Sequence, residues 1–347
     1  MKSKYFASSN SYTGFHSLFG VIFDSKKFDN VFVLKGGPGT GKSTFIKKIR
    51  KLVAEKHGEA TLYHCSSDND SLDGITFTIN KKRFAIMDGT SPHERDACFP
   101  GVIDEIINLG EGLEYEWIRN QRENALVLFE QKANAYRTAY AYLKLAGNCF
   151  SELYHKNLEK FNAPSADVFI ADFLISTENT FKKPSFEKGF ISSFSKDGLR
   201  RYQIKNDSVD RIIKIKGDQI GTCVFLNYMK SSLERQNARI FPFSLEPKLP
   251  EAILTSNTLI TSEFDGEDHD FDIGKLFKRD KIDSEETRLI TKAHDEFLGE
   301  AKRWLTIASD IHFRLEKIYT KCMNFEHNEI IFEKTCKKIL KVCECDE

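Results

Sequence analysis

Residues 29–49 read DNVFVLKGGPGTGKSTFIKKI, and this stretch carries the strongest structural signal in the chain. Its first residues are an apolar run typical of a buried strand, and its last residues have the amphipathic pattern of a helix. Between them lies GxxxxGKS/T, the pattern of a phosphate-binding loop (P-loop), in the strand–loop–helix order that the pattern requires. We therefore expect an α/β protein in which a mostly parallel sheet is flanked by helices.

The glycines of this loop allow a tight turn whose backbone N–H groups point toward phosphate oxygens at the positive end of the following helix. Lys42 supplies a mobile positive charge for the β- and γ-phosphates, and the Ser43 hydroxyl is a ligand for Mg²⁺. The sequence thus predicts ATP and Mg²⁺ as cofactors. The residues predicted to bind the nucleotide are Gly36, Gly37, Pro38, Gly39, Thr40, Gly41, Lys42, Ser43 and Thr44.

A P-loop site needs a second acidic group for the metal, normally at the end of a neighbouring buried strand. The run Arg83-Phe84-Ala85-Ile86-Met87-Asp88-Gly89 ends in such a group. We therefore predict that Asp88 binds Mg²⁺ together with Ser43. The alternative is an ordinary turn in which Asp-Gly ends a strand.

The loop after Asp88 is rich in titratable side chains. Many P-loop ATPases have a glutamate directly after the metal-binding aspartate, whereas this chain has Gly89. His93, Glu94 and Asp96 are therefore the nearest candidates for a catalytic acid or base. Arg95 is a weaker candidate for an arginine finger. The alternative for each of them is a solvated loop residue.

A third polar cluster follows the predicted strand 61–65. Ligands bind at this end of the strands in open α/β sheets. Asp68, Asp70 and Asp73 are therefore candidates for binding an acceptor substrate. A polar surface turn explains the same residues equally well.

The chain contains an internal repeat. The segment FASSNSYTGF at 6–15 matches FISSFSKDGL at 190–199, and NVFVLKG at 30–36 corresponds to RIIKIKG at 211–217. The second copy then reads DQIGTCVF, which lacks the lysine and serine of a P-loop, and Asp218 would repel phosphate. Its later strand 258–261 reaches no aspartate equivalent to Asp88. We predict a tandem duplication in which the second copy has lost nucleotide binding.

These patterns predict a nucleotide-competent domain at residues 1–161, a linker at 162–189 and a degenerate P-loop-like copy at 190–347. Each copy ends in a long helical segment, at 113–161 and 284–342. Apolar residues recur there at spacings of three and four, typical of core-facing or mutually packed helices, with a docking arm for a protein partner as the alternative. In the first segment they are Leu126, Phe129, Ala133, Tyr136, Tyr140, Leu143, Gly147 and Phe150.

The composition is that of an ordinary globular protein. The 347 residues include 51 basic and 51 acidic side chains, so net charge gives no signal for a nucleic-acid or anionic-membrane partner. There is no apolar run near the ~20 residues that cross a bilayer, and the first residues lack the apolar core of a signal peptide, so we expect a cytoplasmic protein with no membrane partner. The eight cysteines form no CxxC pair and are expected to be reduced thiols. A metal site at Cys343 and Cys345 is a minor alternative to a frayed tail.

Five segments together resemble a poorly characterised bacterial family of duplicated P-loop ATPases, described as ATP-binding proteins or predicted nucleotide kinases. These segments are FASSNSYTGFHSLF at 6–19, LKGGPGTGKST at 34–44, HCSSDNDSLDG at 64–74, AIMDGTSPH at 85–93 and PGVIDEIINLG at 100–110. The resemblance implies a P-loop fold in both halves and supports roles for Asp68, Asp73, Asp88, His93 and Asp96. Typical members also carry GxxxxGKS/T in the second half, from which residues 218–224 depart.

We therefore expect an ATPase with one site in the first half. Lys42, Asp88 and an acid or histidine of the 93–96 loop would carry out hydrolysis. A kinase that transfers the γ-phosphate to a small molecule or nucleotide is the alternative, favoured by Gly89 because a kinase need not activate water. A second alternative is a non-hydrolysing switch read by a partner through the helices. ATP is preferred to GTP because of the resemblance and because the chain has no NKxD motif.

Overall fold

We describe the protein from a computed structural model, for residues 3–175, 185–186, 189–204, 211–233, 238–255, 258–262, 271–278 and 285–344. The first half contains eight strands within these ranges: β1 (Ser3–Phe6), β2 (Ser8–Ser11), β3 (Gly14–Ser17), β4 (Asn30–Lys35), β5 (Glu59–His64), β6 (Leu72–Ile79), β7 (Lys82–Asp88) and β8 (Asp104–Asn108). Its helices are α1 (Phe19–Ile22), α2 (Lys42–Glu55), α3 (Tyr115–Asn120), α4 (Arg122–Lys160) and α5 (Ala163–Ile175), with 3₁₀ turns at Ser25–Lys27 and Leu109–Gly112.

The second half has a similar order of strands, without counterparts of α1 and α3 among its described residues. Its described strands are β9 (Ser185–Phe186), β10 (Ser192–Ser195), β11 (Gly198–Arg201), β12 (Arg211–Lys216), β13 (Arg239–Pro242), β14 (Pro250–Leu254), β15 (Thr258–Ser262) and β16 (Phe271–Asp272). Its helices are α6 (Gln219–Ser232), α7 (Glu285–Lys321) and α8 (Phe325–Glu344), with a 3₁₀ turn at Ile273–Leu276. In these described ranges, no helix has the length and apolarity needed to cross a membrane.

Two sheets of the same design organise the described residues. The strand orders are β1-β5-β6-β7-β4-β8 and β9-β13-β14-β15-β12-β16. In both sheets the second-to-third and third-to-fourth pairings are antiparallel and the other pairings are parallel. The expectation of a mixed α/β protein with a mostly parallel sheet and flanking helices is confirmed.

The sheet register aligns corresponding positions of the two halves. Leu34 of β4 pairs with Asp88 of β7. Ile215 of β12, which occupies the place of Leu34, pairs with Ser262 of β15. Ser262 therefore stands in the second sheet where Asp88 stands in the first.

The terminal helix of each half packs on the sheet of the other half. Ala166, Ile170 and Phe173 of α5 are buried against the second sheet and α6, whereas Ile339 and Cys343 of α8 are buried against the first sheet and α2. Residues 162–189, predicted as a linker, therefore contain a helix that belongs to the second core. Of the two cysteines considered as an alternative metal site, Cys343 is buried in the first core and Cys345 lies outside the described residues.

The two halves meet through equivalent backbone positions. Phe6 N–H donates to the carbonyl oxygen of Phe190 at 2.9 Å, and Phe190 N–H donates to that of Phe6 at 2.8 Å. Ser9 Oγ donates to the Ser244 carbonyl at 2.8 Å, and the matching Ser193 Oγ donates to the Ser66 carbonyl at 3.2 Å. This reciprocity gives the junction an approximate two-fold relation.

The long helices α4 and α7 pack along each other, but α4 uses a face other than the predicted one over its first half. Its buried contacts there are made by Ala125, Leu128 and Ala135. Leu126 is 51% exposed instead. Alanines let the two helix backbones approach closely, which a row of aromatic residues would prevent. The predicted row Phe129, Ala133, Tyr136 and Tyr140 faces a cavity.

Candidate functional site

The predicted phosphate loop connects the end of β4 to the start of α2. Gly36, Gly39 and Gly41 have backbone φ values of +147°, +71° and +92°, which residues other than glycine rarely adopt. A Cβ on Gly36 would also lie 2.5 Å from Thr40 Oγ1. Gly41 is the N-cap of α2, so the first amides of this helix face the loop without a capping side chain.

The Lys42 ammonium folds back over this loop. Its Nζ donates to the carbonyl oxygens of Gly36 at 2.8 Å and Gly37 at 2.9 Å, and lies 3.7 Å from Asp88 Oδ2. Asp88 Oδ1 accepts hydrogen bonds from Thr90 N–H at 2.9 Å and Thr90 Oγ1 at 2.6 Å. Burial raises the pKa of Asp88, against the lowering effect of Lys42. The loop thus brings a cation and a carboxylate side by side.

Ser43 and Asp88, the predicted magnesium ligands, line the same cavity. The Ser43 hydroxyl also accepts a hydrogen bond from Leu72 N–H at 3.0 Å. A hydroxyl and a carboxylate are hard oxygen donors, and Mg²⁺ usually takes one or two such protein ligands together with phosphate oxygens and waters. Among the described residues there is no cluster of three or more acidic, histidine or cysteine side chains that could hold a metal.

Asp73 and His93 form a buried pair beside the loop. His93 Nε2 lies 3.1 Å from Asp73 Oδ2, and the side chains are 6% and 8% exposed. The imidazole stacks on Phe19 with ring centroids 4.2 Å apart. His93 Nδ1 has no hydrogen-bond partner among the described residues. Asp73 Oδ2 likewise has no hydrogen bond of good geometry among the described residues, so the carboxylate and the imidazole are neighbours whose polar atoms remain available to a ligand.

The structure separates the remaining predicted residues into two groups. Asp68 lines the cavity with Asp73. Asp70 does not, and its side chain is exposed beside Arg200. Glu94 is exposed, and Asp96 pairs with Lys35 at 3.1 Å, outside the cavity. None of Asp70, Glu94 and Asp96 lines the cavity over the loop.

Arg95 is not an arginine finger in this structure. Its guanidinium donates to the Phe23 carbonyl oxygen and to Ser25 Oγ, the latter at 2.8 Å. These contacts hold it against the 3₁₀ turn at Ser25–Lys27, away from the residues that line the cavity. Its charge therefore serves the packing of this loop.

The cavity over the loop has a volume of about 850 Å³. The loop, the β5–β6 connection and residues 90–93 form its floor, and the helices α4 and α7 and the start of α8 form its roof. Roof residues that the sequence did not reveal are Lys132, Ser309, His312, Phe313, Glu316, Tyr319 and Phe325. In the sequence, the roof is indicated only by the helical spacing of Phe129, Ala133, Tyr136 and Tyr140. The same spacing is equally typical of a helix face packed in the core.

The roof touches the loop directly. A Cβ on Gly37 would lie 2.4 Å from Tyr319 Cε1, and one on Gly39 would lie 2.7 Å from Thr320 Oγ1. Asn328 Nδ2 of α8 donates to the Thr40 carbonyl at 2.9 Å. The second half of the chain therefore completes the cavity of the first half.

The corresponding place in the second half is filled by the protein itself. The α6 helix begins directly after Asp218, whose Oδ1 accepts from Gly221 N–H at 2.7 Å. Arg201 Nη1 donates to Ser262 Oγ at 3.0 Å and its Nε donates to the buried Glu251 at 3.1 Å. A carboxylate thus caps the helix where the first half leaves room for an anion.

We compared the chain with known protein families, curated proteins and solved structures, and none of them matches.

Proposed function

We propose that this chain is a P-loop NTPase that binds Mg²⁺-ATP at residues 36–44 and hydrolyses it at this single site. The observation that carries the proposal is the glycine loop at the start of α2, with Lys42 and Asp88 3.7 Å apart in a cavity of about 850 Å³. A positive helix end, a mobile lysine and an adjacent carboxylate are the features that a bound triphosphate requires.

The roles follow from the contacts. The amides of the loop bind phosphate oxygens, and Lys42 exchanges its carbonyl partners at Gly36 and Gly37 for the β- and γ-phosphates. Ser43 and Asp88 would hold Mg²⁺, which neutralises phosphate charge when it is bound. The Asp73–His93 pair orients the attacking group or accepts its proton. Because Nδ1 of His93 is buried, this role requires a small movement of the 90–93 loop.

We further propose that the chain is a duplicated P-loop fold with a degenerate second copy. The identical order and direction of strands in the two sheets support the duplication. The helix cap by Asp218 and the place of Ser262 opposite Ile215 support the loss of phosphate and metal binding. We expect one ATP per chain in a calorimetric titration, and two would contradict the degenerate copy.

Transfer to an acceptor is a second candidate, and the size of the cavity favours it. About 850 Å³ lies toward the upper end of the range of ~300–1,000 Å³ for small-molecule sites. Asp68, Tyr136 and Tyr140 line it beyond the loop. The tyrosine hydroxyls donate to Ser67 Oγ at 3.2 Å and to Asn10 Oδ1 at 2.8 Å, so they and the Asp68 carboxylate offer oxygen atoms that accept hydrogen bonds from a second ligand. A hydroxyl or phosphate acceptor in this space would replace water as the attacking group.

One experiment tests these reactions together. The protein is incubated with Mg²⁺-ATP alone and with pools of nucleosides, nucleotides and metabolites, while released phosphate and new phosphorylated products are measured. Phosphate release without an acceptor supports the ATPase, and a product that depends on an acceptor would replace it by the kinase. We expect Lys42→Ala to abolish either turnover, and unchanged turnover in this variant would contradict the site.

A further inference from the structure

The roof of the cavity holds a lysine that the proposed reaction does not yet use. Lys132 of α4 lines the cavity, on the same helix face as Phe129 and Tyr136. It is part of a chain of three polar side chains. Its Nζ lies 3.0 Å from His312 Nδ1, and His312 Nε2 lies 3.5 Å from Glu316 Oε1 on α7.

An ammonium can only donate, so Lys132 Nζ is the donor toward His312 Nδ1, and Nε2 on the other side of the ring faces Glu316. His312 thus lies between the lysine and the carboxylate. Within the described residues, no carboxylate oxygen lies within 4.0 Å of Lys132 Nζ. The ammonium is held in place without a direct counter-ion.

Lys132 is a half-buried cation in the wall of the cavity. Burial is the main cause that lowers its pKa; Cys65 and Glu316 act in the opposite direction, and the positive charge of Lys42 is a smaller cause that lowers it. The pKa of Glu316 is lowered mainly by its hydrogen bond with His312, and the charges of Lys42 and Lys132 lower it as well. Two cations that face one cavity from opposite walls are stabilised by an anion between them.

We propose that Lys132 binds the γ-phosphate of ATP from the roof, opposite Lys42, and that His312 and Glu316 position it. This inference rests on the proposed ATP site. Lys132 would then stabilise the γ-phosphate charge, the role that the sequence suggested for Arg95. The guanidinium of Arg95 is held by Phe23 and Ser25 instead. The γ-phosphate then links α4 to the loop, so the protein distinguishes ATP from ADP.

The test compares the affinities for ATP and ADP. Calorimetric titrations with Mg²⁺-ADP and with the β,γ-imido analogue of ATP, which is not hydrolysed, are made on the intact chain and on Lys132→Gln. A charge-assisted hydrogen bond to one phosphate should make analogue binding about 10-fold or more weaker in this variant, with ADP binding changed less than about 2-fold. An unchanged ratio of the two affinities, or an equal loss of both, would overturn the inference.

The exposed Lys144 on the same helix supplies the matched control. Lys144→Gln removes the same charge from α4 and is expected to leave both affinities unchanged. Lys132→Arg keeps the charge and should retain most of the preference for the ATP analogue. If Lys132→Gln does not fold, as judged by its circular dichroism, the comparison of Lys132→Arg with Lys132→Met replaces it, with the same criteria.

His312 is a positioning residue, and its test uses rescue. His312→Ala should reduce the preference for the ATP analogue by less than Lys132→Gln does. His312→Asn, whose amide retains an acceptor and a donor, should restore part of it, whereas equal effects of Ala and Asn would contradict the positioning role.

Failure of the proposed function is recognised separately. If Lys42→Ala binds the analogue as tightly as the unmodified protein, the ATP site itself is wrong. If Lys42→Ala loses binding while Lys132→Gln keeps the normal preference, only the role of Lys132 is wrong.

Discussion

At the scale of single residues, the site depends on close contact between a glycine and an aromatic ring. Gly37 lies under Tyr319. A Cβ on Gly37 would lie only 2.4 Å from Tyr319 Cε1, which is far shorter than a normal van der Waals contact. Tyr319 thereby fixes the distance between the roof and the phosphate loop. Neither residue could be paired with the other from sequence, because they lie in opposite halves of the chain.

We therefore predict that Gly37→Ala destabilises the protein by about 1–3 kcal/mol and weakens ATP binding, because the methyl group pushes the roof from the loop. Gly299, in α7, has no atom within 4 Å of the position that a Cβ would take, so Gly299→Ala should instead stabilise the protein by roughly 1 kcal/mol. Urea unfolding and calorimetric titration measure both effects. Combining Gly37→Ala with Tyr319→Ala should restore ATP binding, and no restoration would argue against this contact.

Part of the floor could be predicted from the sequence, whereas the roof could not. Lys42, Ser43 and Asp88 line one cavity, as expected, because local sequence positions them: a glycine turn precedes a helix, and an apolar strand ends in an acid. Lys132 and His312 lie on long helices whose polar residues all look solvated in sequence. Their role depends on which helix face the tertiary packing turns toward the loop.

At the scale of elements, the pairing of α4 with α7 determines which side chains enter the cavity. The sequence predicted the helices but assigned Leu126 and Phe129 to the packed face, since aromatic and aliphatic residues at helical spacing usually are core. The observed contact uses Ala125, Ala135 and, further on, Ala139. The small residues were overlooked because apolar spacing alone does not distinguish a close helix contact from a cavity wall.

The two assignments predict opposite results for two substitutions. Ala139 is fully buried between the helices, so Ala139→Leu should overpack the interface and destabilise the protein by about 1–3 kcal/mol. Leu126 is 51% exposed, so Leu126→Ala should change stability by less than about 0.5 kcal/mol. Chemical unfolding of both variants measures the difference. A larger loss for Leu126→Ala would favour the face predicted from sequence.

At the scale of the whole molecule, the exchange of α5 and α8 makes the two halves mutually dependent. The sequence repeat predicts two units, and the two six-stranded sheets have the same strand order. The exchange was not predictable, because an amphipathic helix shows that one face must be buried but not which of two similar sheets will bury it. Ile339 and Ala166 show the outcome, since each is fully buried in the core of the other half.

We predict that residues 1–161 alone, the unit expected from sequence, do not bind ATP and expose apolar surface, because α7 and α8 are missing from the roof and the first core. Adding residues 162–347 in trans should restore binding. Calorimetric titration and binding of a hydrophobic dye measure the two properties. A separate fragment 1–161 that binds ATP as tightly as the whole chain would contradict the dependence.

The contact between Thr40 and Asn328 joins positions 288 residues apart. During synthesis at roughly 5–20 residues per second, the loop leaves the ribosome about 15 to 60 s before the helix that covers it. During this interval the apolar side of α2 is not yet covered by α8. The cavity over the loop is therefore complete only after α8 has been synthesised.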